Sequence, residues 1–459
     1  MKGLRFGLAP RLASLSVALL LVAACSPSSS PTPGGGTATP VSPTASAPGP
    51  TATPAPTATP AASPTATPAA SPTASPTSAG TSAAPGGTAA ATPHALIRGP
   101  WVRGQSIQED ILVAPYQGWV RTNRGIYQTL NDGATWANAT PGLGTSHALI
   151  MSKVRALAAV DTNHALMAVA DVGRTTTTVY VWRTTDGGAN WAYVALPTFR
   201  RVADVGTCHD GQCVGGGGDP FVEFDYVSAS VAFMSFGFAM GPGESTGGLK
   251  MQYRTTDGGR TWTRLHFTAS DDIYLYDSMP SIHFSSATTG VVVAGGVAYS
   301  THTGWGHWTH QTITTYTGDD YWQDVAPQLV DSSHWYISGL ISATGTLTYA
   351  FSSNQGAAWV RRTTTIPGFT NATDVRINFI DNINWVANVT SVSGFITTTR
   401  VFMTGNAGAD WSAMGTTPGA AEATFVDLVH GWAFPSSTAT STHLYSTIDH
   451  GLTWQVIAQ

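Results

Sequence analysis

A tryptophan-anchored octapeptide recurs seven times after residue 128, and no other feature of the chain limits its fold so tightly. The copies are Thr129–Trp136, Thr184–Trp191, Thr255–Trp262, Thr301–Trp308, Ser352–Trp359, Thr404–Trp411 and Thr447–Trp454. Each begins with Ser or Thr. Five positions before the tryptophan stand Asn131, Asp186, Asp257, Thr303, Asn354, Asn406 and Asp449, and three before it Gly133, Gly188, Gly259, Trp305, Gly356, Gly408 and Gly451. Only the copy ending at Trp308 has lost both features. Asp and Asn side chains accept backbone N–H bonds, glycine permits φ > 0, and a tryptophan can open the next strand with its ring buried. Each copy therefore reads as a structural hairpin turn.

The flanks of the turns complete a larger unit. Most copies follow an aromatic strand, marked by Tyr127, Trp182, Tyr253, Tyr299, Phe402 or Tyr445. Before that comes a β-rich segment such as Gly118-Trp119-Val120 or Gly431-Trp432-Ala433, and before that one more strand, as at Ser281–Phe284. The shortest interval between copies is 43 residues, from Trp411 to Trp454, and the longest is 71, from Trp191 to Trp262. Four short strands at such intervals fit β-propeller blades, which take roughly 40 to 50 residues each. The expected fold is all-β, a seven-bladed propeller over 97–459. Six blades is the rival count, because the fourth copy is degenerate. Closure is expected from packing of the first blade on the last, unless Trp101–Arg103 adds a strand.

The repeated Ser/Thr-x-Asp/Asn-x-Gly-x-x-Trp resembles the Asp-box or BNR repeat, over about residues 130 to 459. That repeat is found in sialidases, photosystem II assembly-factor propellers, sortilin-like receptors and some endoglucanases and xyloglucanases. The resemblance implies a propeller whose boxes lie on the face away from the ligand. It does not choose among hydrolase, receptor and scaffold. The Gly-Trp second strand looks more like the assembly-factor branch. Leu96-Ile97-Arg98-Gly99-Pro100 departs from the sialidase Arg-Ile-Pro motif.

The first 96 residues read differently. Lys2, Arg5 and Arg11 precede an apolar run from Leu12 to Ala24, which is a signal peptide over 1–24. Val22-Ala23-Ala24-Cys25 resembles a bacterial lipobox, which would make Cys25 the lipidated anchor at the outer face of the cytoplasmic membrane or at the cell surface. Residues 25–96 are almost wholly Ser, Thr, Ala, Pro and Gly, with no charge between Cys25 and Arg98, and read as a disordered stalk. The formal net charge is −5 and there is no basic block, so nucleic acid is not an expected partner.

Chemistry is sought in loops away from the boxes. The largest insertion, Thr198 to about Val227, holds Arg200, Arg201, Cys208, Cys213 and Glu223. In an exported chain Cys208 and Cys213 are expected to form a disulfide. Asp271-Asp272-Ile273-Tyr274-Leu275-Tyr276-Asp277 and Asp319-Asp320-Tyr321-Trp322-Gln323-Asp324 follow at equivalent places in the next two units. Carboxylates beside aromatic rings suit a sugar: Asp271, Asp272, Asp319 and Asp320 are the candidate acids, and Tyr274, Tyr276, Tyr321 and Trp322 the stacking surfaces. The same residues also read as solvated turn acids or as a calcium site. No other cofactor is implied. The resulting expectation is a monomeric, lipid-anchored propeller that binds a glycan or envelope protein without catalysis. The alternatives are a cell-surface glycoside hydrolase and, on resemblance alone, a photosystem assembly scaffold.

Overall fold

The computed structural model describes residues 89–90, 96 and 98–459, apart from 143–150, 174–175, 203–212, 216–219, 239–250, 266–280, 295, 314–326, 342–344, 369–371, 395 and 436–442. Within them seven antiparallel sheets follow one another along the chain, each built on four strands that are consecutive in sequence and adjacent in space. These are the blades of a seven-bladed β-propeller. The innermost strands are Ile107–Ala114, Val154–Ala159, Pro220–Tyr226, Ser281–Phe284, Gln328–Leu329, Ala372–Phe379 and Glu422–Phe425. The degenerate copy has its own blade, made of Ser281–Phe284, Gly290–Ala294, Val297–Thr301 and Thr309–Thr312, which excludes the six-bladed count.

Every octapeptide forms the turn between the third and fourth strands of its blade. The opening hydroxyl accepts the N–H of the glycine four residues on, at 2.9 Å for Gly133 and Gly188 and 2.8 Å for Gly356. The Asp or Asn carbonyl-type oxygen accepts the N–H of the residue just before the tryptophan, at 2.8 Å for Asn190 on Asp186 and 2.9 Å for Thr261 on Asp257. The glycine is required twice over. Gly188 has φ +92°, and a Cβ there would come within 2.5 Å of Ala139 Cβ in the preceding blade; Gly356 has φ +79°, and its Cβ would meet Ser300 Oγ at 2.3 Å. The turn is thus a place where neighbouring blades approach closely. In the fourth copy Thr301 Oγ1 donates to Gly304 O at 2.7 Å instead, and Trp305 fills the position, stacked beside Phe284 and edge-on to Trp308.

A second turn, between the first and second strands, is fastened to each box. The residue before the conserved glycine position donates its N–H to a carbonyl of that turn: Asp132 to Tyr116, Gly187 to Asn163, Gly258 to Ser230, Gly304 to Thr288, Gln355 to Ser333, Ala407 to Ile383 and His450 to Val429. All seven blades carry this staple. Second-strand tryptophans, Trp119, Trp335, Trp385 and Trp432, are almost fully buried between blades, and burying each ring is worth about 4–6 kcal/mol of transfer free energy.

The ring closes by packing of blade 1 on blade 7. Ile107, Leu112, Val120, Tyr127 and Trp136 share a core with Trp432, Phe434, Leu444, Ile457 and Ala458. Asp132 is the polar centre of the seam: its carboxylate accepts from Trp432 Nε1 at 3.1 Å, Ser446 Oγ at 2.8 Å and Gln455 Nε2 at 3.2 Å. An extra strand does join blade 1, but it is Arg98–Gly99 along Trp136–Asn138, not Trp101–Arg103. Trp101 is instead used as core, 5.2 Å from the Tyr127 ring and 5.0 Å from Trp136. Ala89–Ala90 pairs in the same way with the outer strand of blade 2.

Candidate functional site

The two ends of the blades differ. On the box face, strands one and two are separated by five residues in blades 2 to 7, as at 160–164 and 426–430, and strands three and four by seven, as at 185–191 and 448–454. On the opposite face, strands two and three are separated by anything from residues 295–296 to residues 239–250. The step from one blade to the next ranges from 417–421 to 196–219, and the latter contains two further short strands. One face is constant and the other carries nearly all the length variation.

Polar groups on the innermost strands divide into two sets. The first joins blades. An innermost strand is an edge strand with N–H groups that no further strand can accept. Asp225 Oδ2 accepts from Phe284 N at 2.5 Å, Gln328 Oε1 from Phe379 N at 2.9 Å, Asn378 Oδ1 from Phe425 N at 2.9 Å, and Glu109 Oε2 from Leu157 N at 3.0 Å. In each case the side chain belongs to one blade and the amide to the next.

The second set is charged. Arg376 pairs with Glu422 of the next blade and lies 3.7 Å from Asp374; Glu109 pairs with Arg121 at 2.9 Å. Asp110 follows Glu109 on the inner strand of blade 1. Burial raises its pKa to about 7, the adjacent Glu109 carboxylate adds to the shift, and Glu422 contributes further. Near neutral pH Asp110 can therefore hold a proton and donate it. Glu223 lies in the same inner layer, in the middle of Pro220–Tyr226.

That placement corrects one reading. The insertion does not run to Val227: Pro220–Tyr226 is the inner strand of blade 3, with Val222, Phe224 and Tyr226 buried and Phe221, Glu223 and Asp225 on the other face. The alternation of Phe-Val-Glu-Phe-Asp-Tyr is a strand pattern. Arg200 and Arg201 are also in a strand, Phe199–Val202, which pairs in parallel with Cys213–Gly215; Arg200 is in register with Cys213. Cys25, Cys208, Asp271, Asp272, Tyr274, Tyr276, Asp319, Asp320, Tyr321 and Trp322 lie outside the described residues. Among the described residues, no group of three His, Cys, Asp or Glu could hold a metal ion.

Two signals escaped the sequence reading. Three of the chain's four glutamates, Glu109, Glu223 and Glu422, fall on innermost strands. The stapled turn also has a motif of its own, Asp-x-x-His. Asp161, Asp331 and Asp427 each accept two backbone N–H groups and pair with the ring of His164, His334 or His430. Burial pushes the Asp331 carboxyl up, but the Ser333 and His334 amides outweigh it and hold the group at about 2.

No protein-family model matches the chain, and no curated protein matches it. Among solved structures it is similar to an ulvan lyase, a polysaccharide lyase, at TM-score 0.41 and 11% identity over 79% of this chain and 98% of that one. It is also similar to an α-L-arabinofuranosidase of Fusarium graminearum, at TM-score 0.34 and 13% identity over 69% and 98%. A third is the extracellular domain of a two-component-system protein of B. thetaiotaomicron, at TM-score 0.36 and 9% identity over 76% and 38%. At such scores the ligand has to be argued from this chain's own residues.

Proposed function

We propose that this propeller is an exported, lipid-anchored binding module whose variable face receives a glycan or a cell-envelope protein. The observation that carries the reading is the contrast in loop length: a scaffold with one invariant face presents its differences, and so its specificity, on the other. In sequence, the acid-aromatic segments 271–277 and 319–324 fall between the fourth strand of one blade and the first of the next, after Thr263–Leu265 and after Thr309–Thr312. Cys25 supplies the membrane attachment and residues 26–88 the reach, since Ala89–Ala90 already pairs with blade 2. Most inner-strand carboxylates are engaged in latches or ion pairs, which favours binding over turnover.

The test is a glycan-array screen of Thr92–Gln459 with product analysis of every hit. Binding without turnover, lost in an Asp272→Ala/Asp319→Ala variant, supports the reading. Binding that survives the double substitution counts against that face.

A second reading, glycoside hydrolysis, is favoured by Asp110, whose carboxyl is raised to about 7 by burial, with the Glu109 and Glu422 carboxyl groups close enough to add to the shift. Under it, Asp110→Asn abolishes product release from a bound glycan and leaves binding within about threefold of the parent.

A further inference from the structure

The seven repeats act as internal controls for one another, and on the box face three of the blades break the pattern. The exposed sixth position before the tryptophan is Thr185, Thr256, His302 and Ser353 in blades 2 to 5, but Leu130 in blade 1 and Ile448 in blade 7. The second position before it is small or polar in blades 2 to 6 and is Leu452 in blade 7. In the stapled turn the corresponding residues are Asn163, Ser230, Thr288 and Ser333, against Ile383 in blade 6 and Tyr116 in blade 1. Leu130 is 41% exposed, Tyr116 43%, Ile383 47%, Ile448 52% and Leu452 56%.

These residues belong to three consecutive blades that touch. Tyr116 packs edge-on against His430 at 4.6 Å, with its hydroxyl 2.9 Å from Nε2, so blade 1 contacts blade 7. Gly415 N donates to Gly451 O at 3.0 Å, and a Cβ at Gly415 would strike the Gly451 and Leu452 carbonyls, so blade 6 backs directly onto the turn that presents Leu452. Tyr116 is also held at φ +65°, a left-handed conformation that costs a bulky residue about 1–2 kcal/mol. Leu130, Ile383, Ile448 and Leu452 belong to none of the core clusters, and about half of each faces water.

Charge selects the occupant. The turns of blades 6, 7 and 1 on this face contain no Lys or Arg, whereas Asp381, Asp410, Asp427 and Asp449 are spread among the apolar residues. Burial pushes the Asp381, Asp427 and Asp449 carboxyls up, but hydrogen bonds to neighbouring amides and side chains outweigh it and hold them below the usual carboxylate range, so they stay charged. A second copy would bring acid against acid, and an anionic bilayer would be repelled. The geometry points to a docking surface at the blade 6–7–1 seam for a protein segment that carries apolar anchors flanked by Lys or Arg. This surface is on the opposite side from the proposed ligand face, so the propeller joins a partner to its ligand.

The test uses the full chain carrying Cys25→Ala, titrated with a synthetic amphipathic Leu/Lys peptide and followed by peptide anisotropy. Binding should be salt-sensitive and weaken about tenfold or more in a Leu130→Ser/Ile448→Ser/Leu452→Ser variant, while Thr185→Ala/Thr256→Ala/Ser353→Ala leaves it unchanged. Because the three apolar side chains are exposed, the variant should keep the parent's melting temperature. Equal binding of a Leu/Glu peptide, no loss in the triple serine variant, sedimentation as a dimer that the variant dissolves, or binding to phosphatidylglycerol vesicles would each overturn the proposal. None of these readouts depends on the glycan screen.

Discussion

The box face and the loop face are built from the same strands, yet they respond to sequence in opposite ways. On the box face all seven blades share one staple, blades 2 to 7 repeat two turn lengths, and every copy but the fourth has one hydroxyl-to-amide bond to a glycine, which at Gly188 and Gly356 has a neighbouring blade where its side chain would be. On the loop face nothing fixes length, because the connections need only lead from one strand to the next. Close approach of blades enforces uniformity where it occurs, and its absence leaves room for specificity.

Glycine substitution tests that contrast most severely. Gly188→Ala should destabilise by about 3 kcal/mol or more, since it combines φ +92° with a contact at 2.5 Å. Gly394→Ala, at φ +62° on the loop face with nothing within 4 Å, should cost only about 1 kcal/mol. Urea unfolding of both variants checks the pair, and similar losses would mean that blade proximity does not set the box-face rule.

Asp132→Ala removes the acceptor of three hydrogen bonds at the seam and should cost about 2–3 kcal/mol. The same substitution at Gln355, which holds the equivalent turn position in blade 5, should cost under about 1 kcal/mol. Calorimetry of the two variants shows whether the seam is special or merely another joint.

Asp110 gives a pH signature at the inner strands. Its folded pKa of about 7 lies above the ordinary carboxylate value, so ionisation opposes folding. No penalty acts below about pH 4; it grows between about pH 4 and 7 and is constant above. Asp110→Asn should therefore stabilise the protein at pH 8, by up to about 4 kcal/mol, and by little at pH 4. Asp331 on the box face has the opposite sign. Held at about 2, it contributes stability above its ordinary value that is lost as the pH falls toward 2. Asp331→Asn should be a small loss at pH 7 that vanishes near pH 2, measured by chemical denaturation at each pH.

The fold was readable because its determinants are local and repeated. A hydroxyl, an acid, a glycine and a tryptophan at fixed spacing report one turn, and seven of them report the ring. The degenerate fourth copy shows the limit of that reading: Trp305 replaces the glycine, and only its stacking on Phe284 of the same blade, in a core shared with Phe233 of blade 3, reveals how the bulky ring is accommodated. The inner-strand charges were harder to read. Glu422 is far in sequence from the neighbours Glu109 and Asp110 and comes near them only when blade 7 returns to blade 1, so no local pattern could bring it to them. Glu223 was within reach, since its strand alternates, but the glycine-rich stretch before it drew the segment into a loop.

Hydrogen–deuterium exchange of the propeller, free and with a glycan found by the array, tests the division of labour most directly. The account predicts that the amides of Gly133, Gly188, Gly259, Gly356, Gly408 and Gly451 exchange slowly in both states, and that ligand protection appears only in connections between strands two and three and between blades. Ligand-induced protection at the box turns, with none on the loop face, would contradict it.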